Sequence, residues 1–99
     1  MSGEAQYAVY IMASRRNGTL YVGVTNDIAR RAFEHRNRSG AAFTRKYGVT
    51  RLVWYERYAD VNEAIAREKQ LKKWERAWKL EIIAAMDPDW NDLYQTLNT

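Results

Sequence analysis

Cysteine is absent from this 99-residue chain, histidine and proline occur once each, and glycine five times. Without cysteine there is no disulfide framework, zinc knuckle, thiolate nucleophile or iron–sulfur cluster, and one histidine excludes a histidine-rich metal site. Any metal bound here takes oxygen ligands. No apolar run approaches the roughly 18 residues that span a bilayer, and Met1 to Gln6 lacks a basic segment followed by a hydrophobic one. The expectation is a soluble cytoplasmic protein with no membrane contact. Repeats, low-complexity tracts and linkers are missing too: the glycines stand singly and the lone proline is Pro88, so residues 1–99 read as a single domain.

What is present is an ordinary globular composition, with 46% hydrophobic and 28% charged residues, which argues against intrinsic disorder. Four Trp, seven Tyr and two Phe supply the aromatic core that a chain this short needs. The formal net charge of +4 is unevenly spread. From Ile28 to Arg57, eight basic residues (Arg30, Arg31, Arg36, Arg38, Arg45, Lys46, Arg51, Arg57) face two acids, Glu34 and Glu56, and the remainder is mildly acidic. Such a basic segment suits a polyanion, because each phosphate contact releases condensed counterions; the alternative is a solvated face that keeps the protein soluble.

Tyr7 to Met12 and Leu20 to Val24 are short β-rich runs flanking Ala13 to Thr19, where Asn17-Gly18 can reverse the chain, so they predict a hairpin. Leu52 to Tyr58 predicts a third strand, with no indication of which edge it joins. Thr25-Asn26-Asp27 supplies capping residues for a helix over Ile28 to Arg38, ended near Ser39-Gly40. Asp60 can cap a second helix through Ala64, Ile65, Leu71 and Trp74, continued by Trp78, Ile82 and Ile83 toward Met86 as one bent helix or two. Asp87-Pro88 stops it, and a short closing helix over Trp90 to Leu97 is expected. The order is ββαβαα: an α+β fold with a small, three-stranded, mostly antiparallel sheet flanked by helices.

Glu68 lies four residues after Ala64, three after Ile65 and three before Leu71, so it points with the apolar stripe. A carboxylate placed there needs a partner, because burying it unpaired costs several kcal/mol, on the order of a lost buried charge pair. The candidates are an ion pair with Arg67, Lys72 or an arginine of the first helix, or a functional role with a metal. Arg31 and His35 share a helical face, with Asp27 at the helix start on the same line. They form either an exposed face with weak charge pairs or a phosphate-binding fork beside a group that titrates near neutral pH. Tyr10 and Tyr21 stand eleven positions apart in the two hairpin strands, as core packing or as site residues.

Ala8-Val9-Tyr10 followed by Tyr21-Val22-Gly23 resembles the paired signature of the GIY-YIG nuclease superfamily, with Ala8 in place of the first glycine. Arg31, His35 and Glu68 fall at matching places, the last within Arg-Glu-Lys-Gln-Leu-Lys-Lys-Trp. The Tyr21 to Asp27, Gly40 to Tyr47 and Asp87 to Tyr94 blocks resemble small standalone bacterial members, so the likeness spans nearly the whole chain. Val24 stands where some relatives carry a lysine, leaving the cationic environment of the tyrosines to Arg31, and Asp87 falls near a late asparagine.

The resemblance implies a metal-dependent endonuclease that hydrolyses phosphodiester bonds in DNA rather than RNA, with possible selectivity for structure. In those terms Tyr10, Tyr21, Arg31, His35 and Glu68 are catalytic. Glu68 binds Mg²⁺ or Mn²⁺, a hard-donor match; Arg31 neutralises transition-state charge. Tyr10 serves as base or water-positioning group, its pKa lowered by Arg31 and the metal, with His35 assisting proton transfer. Arg30, Arg36, Arg38, Thr44, Arg45 and Lys46 are the expected nucleic-acid contacts. The alternatives are a catalytically weak nucleic-acid-binding module on the same fold, and a protein-partner adaptor using Trp74, Trp78 and Trp90.

Overall fold

The computed structural model describes residues 6–37 and 42–97. Strands β1 (Tyr7–Ala13) and β2 (Leu20–Thr25) form the hairpin. Asn17 takes the left-handed conformation at φ 57°, and the Gly18 amide donates to the Arg15 carbonyl at 2.9 Å. Strand β3 (Arg51–Tyr58) pairs with the other edge of β1, so the antiparallel sheet runs β2-β1-β3. A register shift between Ile11 and Met12 pairs Ile11 with Trp54 but Met12 with Leu52. β1 is central because its Val9, Ile11 and Met12 are wholly buried, and a strand apolar on both faces has to be covered on both.

Alternation divides the core in two. Val9, Ile11, Val22, Val53 and Trp54 pack with Ala64, Leu71, Ile83 and Trp90; Ala8, Tyr10, Met12 and Leu52 pack with Ile28, Ala32 and Val49. The first layer carries α3 (Val61–Lys73) and α4 (Arg76–Met86), and the second carries α1 (Ile28–Arg36). Asp27 caps α1 by accepting from the Arg30 amide, and Asp60 caps α3 through the Asn62 amide. The long apolar pattern after Asp60 is two helices. Trp74 and Glu75 are extended at ψ 147° and 152°, and Trp74 meets Trp78 edge-on at 5.6 Å. An unbroken helix over these residues would run about 39 Å, longer than the sheet it covers; the break brings Leu71 and Ile83 into one core.

Two expectations need correction. Helix α2 (Ala42–Tyr47) lies between α1 and β3, where none was foreseen, and ends at Gly48 in the left-handed region at φ 64°, with the Val49 amide closing on the Thr44 carbonyl at 2.9 Å. The closing helix over Trp90 to Leu97 is a single 3₁₀ turn, Leu93–Thr96. Buried Trp90 sits at φ 57°, which no helix permits, and its carbonyl accepts from Arg51 at 2.9 Å. Helix α1 ends at Arg36 with Asn37 as its C-cap; Arg38 lies outside the described residues. Among the described residues, no helix is long and apolar enough to cross a membrane.

Candidate active site

Tyr10 points from central β1 into the α1 layer and faces Gly23 across the ladder. A Cβ on Gly23 would lie 2.5 Å from both Cζ and Oη of Tyr10, so glycine is what lets the phenol lie flat against β2. The Tyr10 hydroxyl lies 3.2 Å from His35 Nε2, and His35 Nδ1 lies 3.1 Å from Thr44 Oγ1. Two tautomers satisfy this chain: with the proton on Nδ1, imidazole donates to Thr44 and accepts from Tyr10; with it on Nε2, both directions reverse. Tyr21, half-buried on edge strand β2, completes a ring cluster, its centroid 6.3 Å from Tyr10 and 5.6 Å from His35.

Charge enters from both helical layers. Arg31, whose side chain is 44% exposed, pairs with Glu34 at 3.3 Å on the open face of α1. From α3, Glu68 keeps its side chain only 15% exposed, with Oε2 2.8 Å from Lys72 Nζ. Burial, with Tyr21 and the Glu68 charge acting in the same direction, outweighs the opposing Arg31 charge and pushes the pKa of the Tyr10 phenol well above the ordinary tyrosine value. The expected lowering by Arg31 is therefore overridden in the free protein: Tyr10 is 3% exposed, and a phenolate there would lose most of its hydration. Burial and the Arg31 charge push the His35 imidazole below its ordinary value, so it is neutral at neutral pH.

Tyr10, Tyr21 and His35 thus form one ring cluster, and the charges of Arg31 from α1 and Glu68 from α3 act on the Tyr10 phenol within it. The expected nucleic-acid contacts are more scattered. Arg30 is exposed and pairs with Glu34 at 3.3 Å. Arg45 and Lys46 project from α2, Lys46 lying over the Tyr47 ring. Arg36 turns to the far side of α1, 3.5 Å from Asp92 and over the Tyr94 ring. Thr44 is buried and spends its hydroxyl on His35, so it supports the cluster from behind and has no open surface for nucleic acid.

Three neighbours were not singled out as site residues. Lys72, Lys79 and Phe43 line a cavity of about 280 Å³ with Leu20, Tyr21 and Val22. The four-residue spacing of Glu68 and Lys72 announces their pairing, but no sequence signal brings Lys79 from another helix to the same place. The inward carboxylate of Glu68 fits a hard divalent ion that keeps several waters and shares itself with a substrate phosphate. Among the described residues no three His, Cys, Asp or Glu groups make a closed cage.

The GIY-YIG catalytic domain family matches residues 6–81. A UPF0213 protein from Clostridium perfringens is 38% identical over 77 residues, covering 78% of this chain and 82% of the relative. One from Staphylococcus saprophyticus is 33% identical over 79 residues, covering 80% and 95%. The solution NMR structure of a UPF0213 protein from Bacillus halodurans superposes with a TM-score of 0.55 at 29% identity, across 94% of this chain and 97% of that one. A three-stranded sheet with flanking helices, paired hairpin tyrosines and a match to the catalytic domain over most of the chain agree: the protein belongs to the GIY-YIG family, a nuclease-type domain whose members generally use divalent metals.

Proposed function

We propose that this protein is an endonuclease that cuts phosphodiester bonds in DNA with Mg²⁺ or Mn²⁺. The observation that carries the reading is the clustering of Tyr10, Tyr21 and His35 with the charges of Arg31 and Glu68. In such a site the ion supplies charge for the phosphate and the leaving oxygen. Glu68 would hold that ion in exchange for its pairing with Lys72. Arg31, half-exposed and paired with Glu34, turns to the phosphate and offsets negative charge in the transition state. Tyr21 lines the cavity and orients the attacking water. Behind it, Tyr10 can take a proton on Oη while passing its own to neutral His35 Nε2, which avoids a buried phenolate.

The test incubates purified protein with labelled single-stranded, duplex, flapped and branched DNA and matching RNA, with Mg²⁺, Mn²⁺ or EDTA. Metal-dependent cleavage of DNA is expected, with turnover falling about 10²-fold or more in Tyr10→Phe and lost in Glu68→Gln. Wild-type rates in both variants would overturn the assignment. A second reading, a nucleic-acid-binding module without turnover, is favoured by one observation: Glu68 already holds Lys72 at 2.8 Å. Binding without cleavage across the whole panel would establish it.

A further inference from the structure

The cavity beside Tyr21 is built from both helical layers. Leu20, Tyr21 and Val22 of the β2 edge form its floor, Phe43 of α2 one wall, and Lys72 of α3 with Lys79 of α4 the other. At about 280 Å³ it approaches the size, roughly 300 Å³, at which small-ligand pockets begin. Its two ammonium groups come from different helices, placed together by the extended Trp74-Glu75 break and the Trp74–Trp78 contact. Lys72 is neutralised by Glu68, whereas Lys79 makes no ion pair among the described residues. The Phe43 ring is 43% exposed, tilted against Tyr21 at 6.0 Å and Tyr47 at 4.8 Å, and open to the cavity. A cationic wall beside an exposed aromatic ring matches a phosphodiester with its attached sugar: an anion for the lysines, a carbon-rich face for the ring.

We propose that this cavity is a subsite for the nucleotide next to the cut, its phosphate held by Lys72 and Lys79 and its deoxyribose laid against Phe43. The proposal rests on the nuclease reading, because the bound strand is the one whose scissile phosphate lies at Tyr21, Arg31 and Glu68. It gives Lys72 two partners: Glu68 in the free protein and the flanking phosphate in the complex. A strand threaded this way passes from the basic α2 surface of Arg45 and Lys46, across the β2 edge, to the start of α4.

Binding measured in EDTA separates the subsite from catalysis. A fluorescently labelled DNA 10-mer is titrated by anisotropy against wild type, Lys79→Gln, Lys79→Arg and Lys73→Gln, the last removing a neighbouring exposed charge outside the cavity. Lys79→Gln is expected to weaken binding about 5-fold or more and to flatten the salt slope by about one contact, with Lys79→Arg near wild type and Lys73→Gln within about twofold. In parallel, ¹⁵N-labelled wild-type protein is titrated with a 5′-phosphorylated dinucleotide, and amide shifts are expected at Tyr21, Phe43, Lys72 and Lys79. Equal weakening in Lys79→Gln and Lys73→Gln, or shifts confined to Phe33 and Tyr94 on the far side of α1, would overturn the proposal. The wild-type titration decides even where a variant fails to fold. Absence of cleavage with this binding pattern intact would remove the nuclease reading and leave the subsite standing.

Discussion

Gly23 and Asp87 show how much single side chains decide here. Because a Cβ on Gly23 would overlap the ring of buried Tyr10, Gly23→Ala has to displace the phenol from His35. Overpacking of this kind costs about 1–3 kcal/mol, and denaturant unfolding together with a changed His35 ring shift by NMR would register it. An unaltered imidazole signal would show that the sheet relaxes instead. Asp87 is 4% exposed; its Oδ1 accepts from the Asn91 amide at 2.9 Å, while Oδ2 is buried with no hydrogen-bond partner. Burial raises its pKa above the ordinary aspartate value despite that bond. A carboxyl whose folded pKa exceeds its unfolded one stabilises the fold when protonated and forfeits that as pH rises. Asp87→Asn is therefore expected to raise Tm by about 2–5 °C at pH 7 and to lose the advantage near pH 3, as read by thermal unfolding across pH.

At the scale of elements, α2 is the piece that joins the site to its surroundings. Its six residues turn Thr44 inward to His35 and Phe43, Arg45 and Lys46 outward, and Gly48 at φ 64° lets the chain leave for β3. A helix this short holds through packing rather than propensity, and the buried hydroxyl is part of that packing. Thr44→Val keeps the shape and removes the bond, leaving His35 Nδ1 without this partner. A loss of about 1–3 kcal/mol is expected, along with faster amide exchange across residues 42–47. If exchange stays at the wild-type rate, Thr44 is incidental to α2. The same helix explains why sequence periodicity passed over it: one buried residue in six leaves no stripe to detect.

For the molecule as a whole, charge and titration set the working conditions. Arg30, Arg45 and Lys46 are exposed and Lys72 and Lys79 line the cavity beside Tyr21, whereas Arg36 is committed to Asp92 and Tyr94. If three to five of them meet phosphates, log K for DNA should fall against log salt with a slope of about −3 to −5; salt-independent binding would point to a protein partner instead. Stability should narrow at both ends of the pH scale. Neutral His35 has a folded pKa below its unfolded one, so its contribution is lost as pH falls through about 6.5. Tyr10 is raised chiefly by burial, and Tyr58 is pushed up to about 12 by burial and its hydrogen bond to Glu56, so their contributions are lost above about pH 10. Circular dichroism melts from pH 4 to 11 would trace both limbs.

Local pattern was enough for the hairpin around Asn17-Gly18, the third strand, the Asp27 and Asp60 caps and the inward aim of Glu68, because each follows from the period and neighbours of a short stretch. The resemblance carried by Tyr10, Tyr21 and Gly23 likewise resides in the chain itself. The central place of β1, the helix break at Trp74, the left-handed Trp90 and the meeting of Lys72 with Lys79 depend on which surfaces cover which, and no window of sequence contains that. The protonation of Tyr10 was decided the same way. Sequence supplied the cation nearby, but the balance between that charge and lost hydration is set by burial, which exists only once the sheet and both helical layers have closed around the ring.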